Sequence, residues 1–136
     1  MMTRYIALVD GEPGAYGVAF PDAPGCTAMG ATVDEALRHA GEALSEWMSD
    51  ELAAGRRAEP PREAEALRAD PDVQEAIAEG AIFAAVPLVV ESGRSASINI
   101  SLDAGLLAAI DEAAAERGLT RSAFLGSAAR EKIASG

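Results

Sequence analysis

The segment Ser97–Leu102 restricts most strongly what this chain can fold into, because polar and apolar side chains alternate along it without exception. A period of two is typical of a β-strand that is buried on one face. Its apolar side chains are Ile98, Ile100 and Leu102, and its polar side chains are Ser97, Asn99 and Ser101. The sequence therefore predicts a strand with one apolar face and one hydrogen-bonding face.

Two helices are predicted directly after this strand. Asp103 can accept hydrogen bonds from the free amides of a first helix that ends at Gly118, and Thr120 can cap a second helix. Apolar residues recur along both helices at helical spacing: Leu106, Leu107, Ile110, Ala113 and Ala114 in the first, and Phe124, Leu125, Ala128 and Ile133 in the second.

About forty residues with a single strand cannot cover their own core, and a lone strand has two unpaired edges. We therefore expect the strand to pair with its copy in a second chain, which gives an obligate homodimer.

Strand, helix, Gly-Leu-Thr turn and helix in this order resemble the ribbon-helix-helix repressors. In that family, paired strands enter the major groove of double-stranded DNA. The resemblance implies that the positions that contact bases are Ser97, Asn99 and Ser101. It also implies that the start of the second helix binds a DNA phosphate through Thr120, Arg121 and Ser122. Asn99 suits a bidentate contact with adenine. The alternative is that these residues are only the solvated faces of a dimerisation tail.

The charge of the chain is divided unevenly. Its net charge is −11. Residues 1–93 hold 6 basic and 17 acidic side chains, which gives −11, whereas residues 94–136 hold 5 of each. An acidic surface repels nucleic acid and suits a basic protein partner. The same acidity would also serve solubility alone.

Several classes of protein are disfavoured by simple features of the sequence. Cys26 is the only cysteine, which fits a reducing cytoplasm and rules out an intrachain disulfide. Asp10 and Glu12 interrupt the start of the chain, so no secretion signal is predicted. The longest apolar run, Ala81–Val90, contains Pro87 and is too short to cross a membrane. We expect a soluble, cytoplasmic protein.

Before the tail, the pattern predicts an α+β fold in the order β-β-β-α-β, with the long helix covering one face of the sheet. The predicted elements are strands at Arg4–Val9, Ala15–Phe20 and Cys26–Met29, a helix capped by Thr32 that fades near Gly55, one or two short helices within Glu63–Glu79 broken at Asp70-Pro71, and a strand at Ala81–Val90.

The run from Thr3 to about Gly55 resembles the start of the HicB antitoxin family. The resemblance lies in a strand hairpin followed by the motifs F-P-D-x-P-G-C, T-A-x-G and V-D-E-A-L. Together with the tail it spans almost the whole chain. It implies a partial ribonuclease H-like domain over residues 1–91, without the catalytic carboxylates, and a ribbon-helix-helix domain over residues 94–136. The helical insertion at about 63–79 departs from the shorter connection expected in the family.

The same resemblance implies the function. The first domain would inhibit a HicA-like toxin, a ribonuclease that cleaves messenger RNA, and the second would repress the operon by binding operator DNA. The expected toxin contacts lie around the turn and are Phe20, Asp22, Pro24 and Cys26. The alternatives for the assembly are a homodimer through the second domain and a higher oligomer built from such dimers.

Two other classes of function fit parts of the sequence. Asp10, Asp22 and Asp34 suggest a metal-dependent hydrolase, but each lies where Asp has a structural role, in a hairpin turn, a proline-rich loop and a first helical turn. A ligand- or metal-responsive ribbon-helix-helix repressor is the closer alternative. One His and one Cys are a poor set of transition-metal ligands, and His39 has no second nitrogen ligand nearby in sequence. We therefore predict no enzyme, no metal and no cofactor.

Overall fold

The computed structural model describes residues 2–135. The chain divides into two compact units, Met1–Ser92 and Gly93–Gly136. Across residues 2–135, no helix has both the length and the apolar character needed to cross a membrane.

The first unit is built on a four-stranded antiparallel sheet in the order β3-β2-β1-β4. Its elements in chain order are β1 (Arg4–Glu12), β2 (Ala15–Ala19), β3 (Thr27–Gly30), α1 (Val33–Ala53), α2 (Ala64–Arg68), α3 (Pro71–Ala78) and β4 (Ile82–Pro87). The mixed α+β fold predicted from the sequence is confirmed.

The hairpin between β1 and β2 is tighter than predicted. β1 continues past Val9 because its last residues keep their partners on β2, with Glu12 opposite Ala15. Gly11 lies between them with φ of 103°. A Cβ atom there would collide with the carbonyl oxygen of Ala15. The turn therefore depends on glycine at this position.

The core lies between α1 and one face of the sheet. Thr32 caps α1 as predicted, its hydroxyl accepting from the amide of Glu35 at 3.1 Å. Every fourth residue of α1 is buried against the alternating inward residues of the strands. The main members of this cluster are Tyr5, Ala7, Val9, Val18, Phe20, Ala36, Ala40, Leu44, Met48 and Val86.

The predicted break at Asp70-Pro71 separates α2 from α3, and Asp70 caps α3 through the amide of Asp72 at 2.9 Å. β4 then pairs antiparallel with β1 and forms one edge of the sheet. It ends at Pro87, opposite Arg4, before the predicted Val90, although the amide of Leu88 still donates to the carbonyl oxygen of Thr3 at 2.9 Å.

The second unit contains α4 (Ala104–Glu116) and α5 (Arg121–Ser135). Asp103 caps α4 through the amides of Gly105 and Leu106, at 2.9 and 3.1 Å. The predicted strand Ser97–Leu102 has no strand hydrogen bonds within one chain. A strand needs a neighbour, and the described residues of this unit supply none.

Candidate functional site

The turn between β2 and β3 is fixed from inside the first unit. Phe20, Ala23 and Cys26 are buried, and the Phe20 ring meets Tyr5 edge to face at 6.5 Å between centroids. The amide of Cys26 donates to the carbonyl of Ala23 at 3.0 Å. Burial also raises the pKa of the Cys26 thiol. These contacts hold the turn in one shape.

The four residues predicted to bind a toxin differ in how much surface they expose. Phe20 and Cys26 point into the core and so have almost no surface to offer a partner. Pro24 is exposed, while its carbonyl accepts a hydrogen bond from the indole Nε1 of Trp47 at 3.1 Å. Of the four predicted residues, only Asp22 and Pro24 retain surface. Phe20, Ala23 and Cys26 lie inside because α1 covers that side of the turn.

Asp22 is held by Arg62, forty positions along the chain. Its carboxylate accepts from the Arg62 backbone amide at 2.7 Å and from Nε at 2.9 Å. The same guanidinium reaches Asp70, the cap of α3, at 3.1 Å. The hydrogen bond from Arg62, with a smaller contribution from the Asp72 amide, lowers the pKa of Asp70. Arg62 therefore ties the turn to the start of α3.

The helical insertion also contacts the sheet. Phe83 alternates with the inward residues Ala84 and Val86, so it lies on the face away from α1. The guanidinium of Arg68, at the end of α2, lies 5.5 Å from the centre of the Phe83 ring. Leu67 and Val73, one from each short helix, are fully buried. The insertion is thus packed onto the unit and is not a loose connection.

Two of the residues that suggested hydrolysis or metal binding, Asp22 and His39, have partners within the first unit. Asp22 is held by Arg62, and Asp34 lies in the first turn of α1. The Nδ1 of His39 lies 2.7 Å from the carbonyl oxygen of Met29. Within residues 2–135, no three His, Cys, Asp or Glu side chains are grouped so that they could hold a metal ion.

One exposed column of α1 is mainly acidic. Positions four residues apart share a helix face, and the column comprises Asp34, Arg38, Glu42, Glu46 and Asp50. Like charges at this spacing oppose helix formation by a few tenths of a kcal/mol per pair. Glu42–Glu46 and Glu46–Asp50 are such pairs, whereas Arg38 lies between two acidic residues, so the negative potential is concentrated in the second half of the column.

In the second unit, both faces of the predicted strand are exposed. Ser97, Asn99 and Ser101 are exposed as predicted for polar contacts. The apolar residues are exposed as well, by 77% at Ile98, 58% at Ile100 and 39% at Leu102. Only Ile110 and Ala114 are buried among the described residues of this unit. A single copy therefore leaves most of its apolar surface in water.

The start of α5 carries the three residues predicted to contact a phosphate, and one of them has a partner that the sequence did not reveal. The Thr120 hydroxyl accepts from the amide of Ala123 at 3.1 Å, which confirms the cap, and Ser122 is exposed. Arg121 donates through Nε and Nη2 to the two oxygens of Asp111, at 2.9 and 2.8 Å. This ion pair raises the pKa of Arg121 and lowers that of Asp111.

Comparisons with known proteins agree with this architecture. A family model described as the HicB-like antitoxin of a bacterial toxin–antitoxin system matches residues 5–129. The crystal structure of the antitoxin HicB from Burkholderia pseudomallei is 30% identical, with a TM-score of 0.53 over 97% of this chain and 99% of that chain. No match was found among curated proteins.

Two further solved structures are similar in fold. A toxin–antitoxin complex from Streptococcus pneumoniae is 21% identical, with a TM-score of 0.52 over 97% of this chain and 99% of that chain. A HicA3 and HicB3 toxin–antitoxin complex is 22% identical, with a TM-score of 0.51 over 65% of this chain and 98% of that chain.

The chain has an α+β unit followed by a two-helix unit, and a family of antitoxins matches most of the length of the chain. These features define a regulatory protein that is not an enzyme. The chain belongs to the HicB-like antitoxin family of bacterial toxin–antitoxin systems.

Proposed function

We propose that this antitoxin binds and inhibits a HicA-like ribonuclease that cleaves messenger RNA, using its first unit, and represses its own operon by binding operator DNA with its second. Membership of the family supports the antitoxin role. Two solved structures with the same fold are complexes of a toxin with an antitoxin, which supports a protein partner of this kind.

The charge of the first unit supports a cationic partner. All the net charge of −11 lies in residues 1–93, and α1 presents its acidic column to solvent. A ribonuclease needs a basic surface to hold RNA, and an acidic surface would speed its encounter with the antitoxin. Exposed ion pairs each contribute little affinity, so apolar packing near Pro24 should contribute most of the binding energy.

The sheet order and the helix on one face support a shortened ribonuclease H-like domain that has lost its chemistry. Asp22 is committed to Arg62, which leaves it unsuited to hold a metal ion. Such a domain acts by covering the toxin and not by cutting RNA.

One observation carries the proposal for the second unit, namely the exposed apolar row Ile98, Ile100 and Leu102. Pairing this segment with its copy would bury both rows and satisfy the strand edges. The opposite face would then present Ser97, Asn99 and Ser101 to the major groove, as in a ribbon-helix-helix dimer. The amides at the start of α5, with Thr120, Arg121 and Ser122, would contact backbone phosphates.

Two assays with the full chain test the two activities. The purified antitoxin should stop RNA cleavage by the protein encoded beside it, which the family implies is small and basic. It should also shift a duplex from upstream of its own gene more strongly than random duplex of the same length. Unimpeded cleavage would contradict the first activity, and equal binding of both duplexes would contradict the second.

A further inference from the structure

We propose that Asp111 weakens the hold of this antitoxin on the DNA backbone by neutralising Arg121. This inference rests on the proposed DNA binding and concerns a residue outside the base-reading and phosphate-binding positions. Asp111 lies on α4, whereas Arg121 is the first residue of α5.

The geometry of the ion pair supports a competition for the guanidinium. Asp111 accepts from Nε and Nη2, so it occupies one complete bidentate edge of Arg121, at 2.9 and 2.8 Å. A DNA phosphate would also bind a guanidinium best through such an edge, because it can then accept two parallel hydrogen bonds. Both side chains are about half exposed, 54% for Arg121 and 46% for Asp111, so the pair is accessible to an incoming phosphate.

The charge of the second unit makes this pair important. Residues 94–136 hold five basic and five acidic side chains, so the unit has no net positive charge with which to attract DNA. Arg121 is the basic side chain at the predicted phosphate contact, and a phosphate arriving there meets a neutral pair. It must displace the carboxylate or approach it closely at the cost of repulsion.

The consequence for binding can be estimated from counterion release. Each phosphate neutralised contributes about 0.9 to the slope of log affinity against log salt. With Arg121 free, lowering the salt from roughly 200 to 50 mM should raise the affinity about threefold more per chain than it does in the wild type, or about tenfold more for a dimer. A phosphate contact is independent of sequence, so random and operator duplexes should gain together.

The test uses the full chain with Asp111→Asn, which removes the charge and keeps the shape. Affinities for a random duplex and for the duplex upstream of the gene are measured by fluorescence anisotropy across a salt series. Glu112→Gln is the matched control, because it removes the same charge from the next position of α4 and forms no ion pair within residues 2–135. Circular dichroism and light scattering establish that each variant is folded and dimeric.

We expect Asp111→Asn to bind both duplexes more tightly and with a steeper salt dependence, and Glu112→Gln to change the slope much less. The gain in slope should disappear in the Arg121→Ala background. Unchanged or weaker binding by folded Asp111→Asn, or an equal gain in Glu112→Gln, would overturn this inference while leaving DNA binding intact. If the folded wild type shows no preference for the upstream duplex, the proposed repressor function fails instead.

Discussion

Replacing Ile100 with Asp should separate the two chains of the proposed dimer. Ile100 lies in the middle of the exposed apolar row, between Ile98 and Leu102. In the proposed strand pair it packs into the core shared by two chains. A carboxylate at this position would have no basic partner in that core and would face its copy across the two-fold axis.

The size of the effect can be estimated from the exposed surface. Complete burial of an isoleucine side chain is worth about 2 kcal/mol, so covering the exposed 58% of Ile100 contributes about 1.2 kcal/mol in each chain. An unpaired carboxylate buried in its place costs several kcal/mol more per chain. The dimer should weaken by at least about 5 kcal/mol, which raises its dissociation constant more than about a thousandfold.

Light scattering on the full chain measures this directly, because the particle mass of the variant should fall to half that of the wild type. Its thermal midpoint should also lose its dependence on protein concentration. Ser101→Asp is the matched control, since it places the same charge on the opposite face, where it should spare the dimer and impair DNA binding. A folded Ile100→Asp variant with the wild-type mass would refute the strand-pairing argument.

Two further predictions concern single side chains. Asn99→Ala should weaken operator binding by about 1 to 3 kcal/mol in a gel-shift titration without changing the dimer, and unchanged affinity would remove Asn99 from the base contacts. Arg62→Ala should lower the thermal midpoint of the first unit. Arg57→Ala is the control and should not lower it, because Arg57 forms no ion pair in the described part of the chain. Arg62 lowers the pKa of Asp70, so this stabilisation is present above the ordinary Asp pKa and is lost as pH falls through the lowered value. The difference in midpoint should therefore shrink below about pH 4, and a difference that is independent of pH would contradict the ion-pair explanation.

The side-chain chemistry of short stretches of sequence predicted where the main helices begin. Thr32, Asp103 and Thr120 were recognisable as caps because a cap acts on amides two or three residues away. The hairpin and the break at Asp70-Pro71 were recognisable for the same reason. Such features depend on short stretches of sequence, so they can be recognised from a single amino-acid sequence.

Contacts between distant residues were not predictable in this way. The Arg62 contact joins positions forty residues apart, and nothing in either local pattern pairs them. Phe20 and Cys26 were expected to face a partner, but their burial depends on where α1 lies above the turn. The Asp111 pair arises because the Gly118 turn, with φ of 66°, returns α5 alongside α4.

The most direct test of the central claim is to ask whether the first unit alone protects cells from the toxin. Residues 1–92, which form a compact unit, are co-expressed with the neighbouring toxin gene, while growth and messenger RNA integrity are measured. Residues 93–136, expressed in the same way, are the control. We expect normal growth and intact RNA with residues 1–92, and toxicity with residues 93–136. Continued RNA cleavage in the presence of a soluble, folded first unit would contradict it.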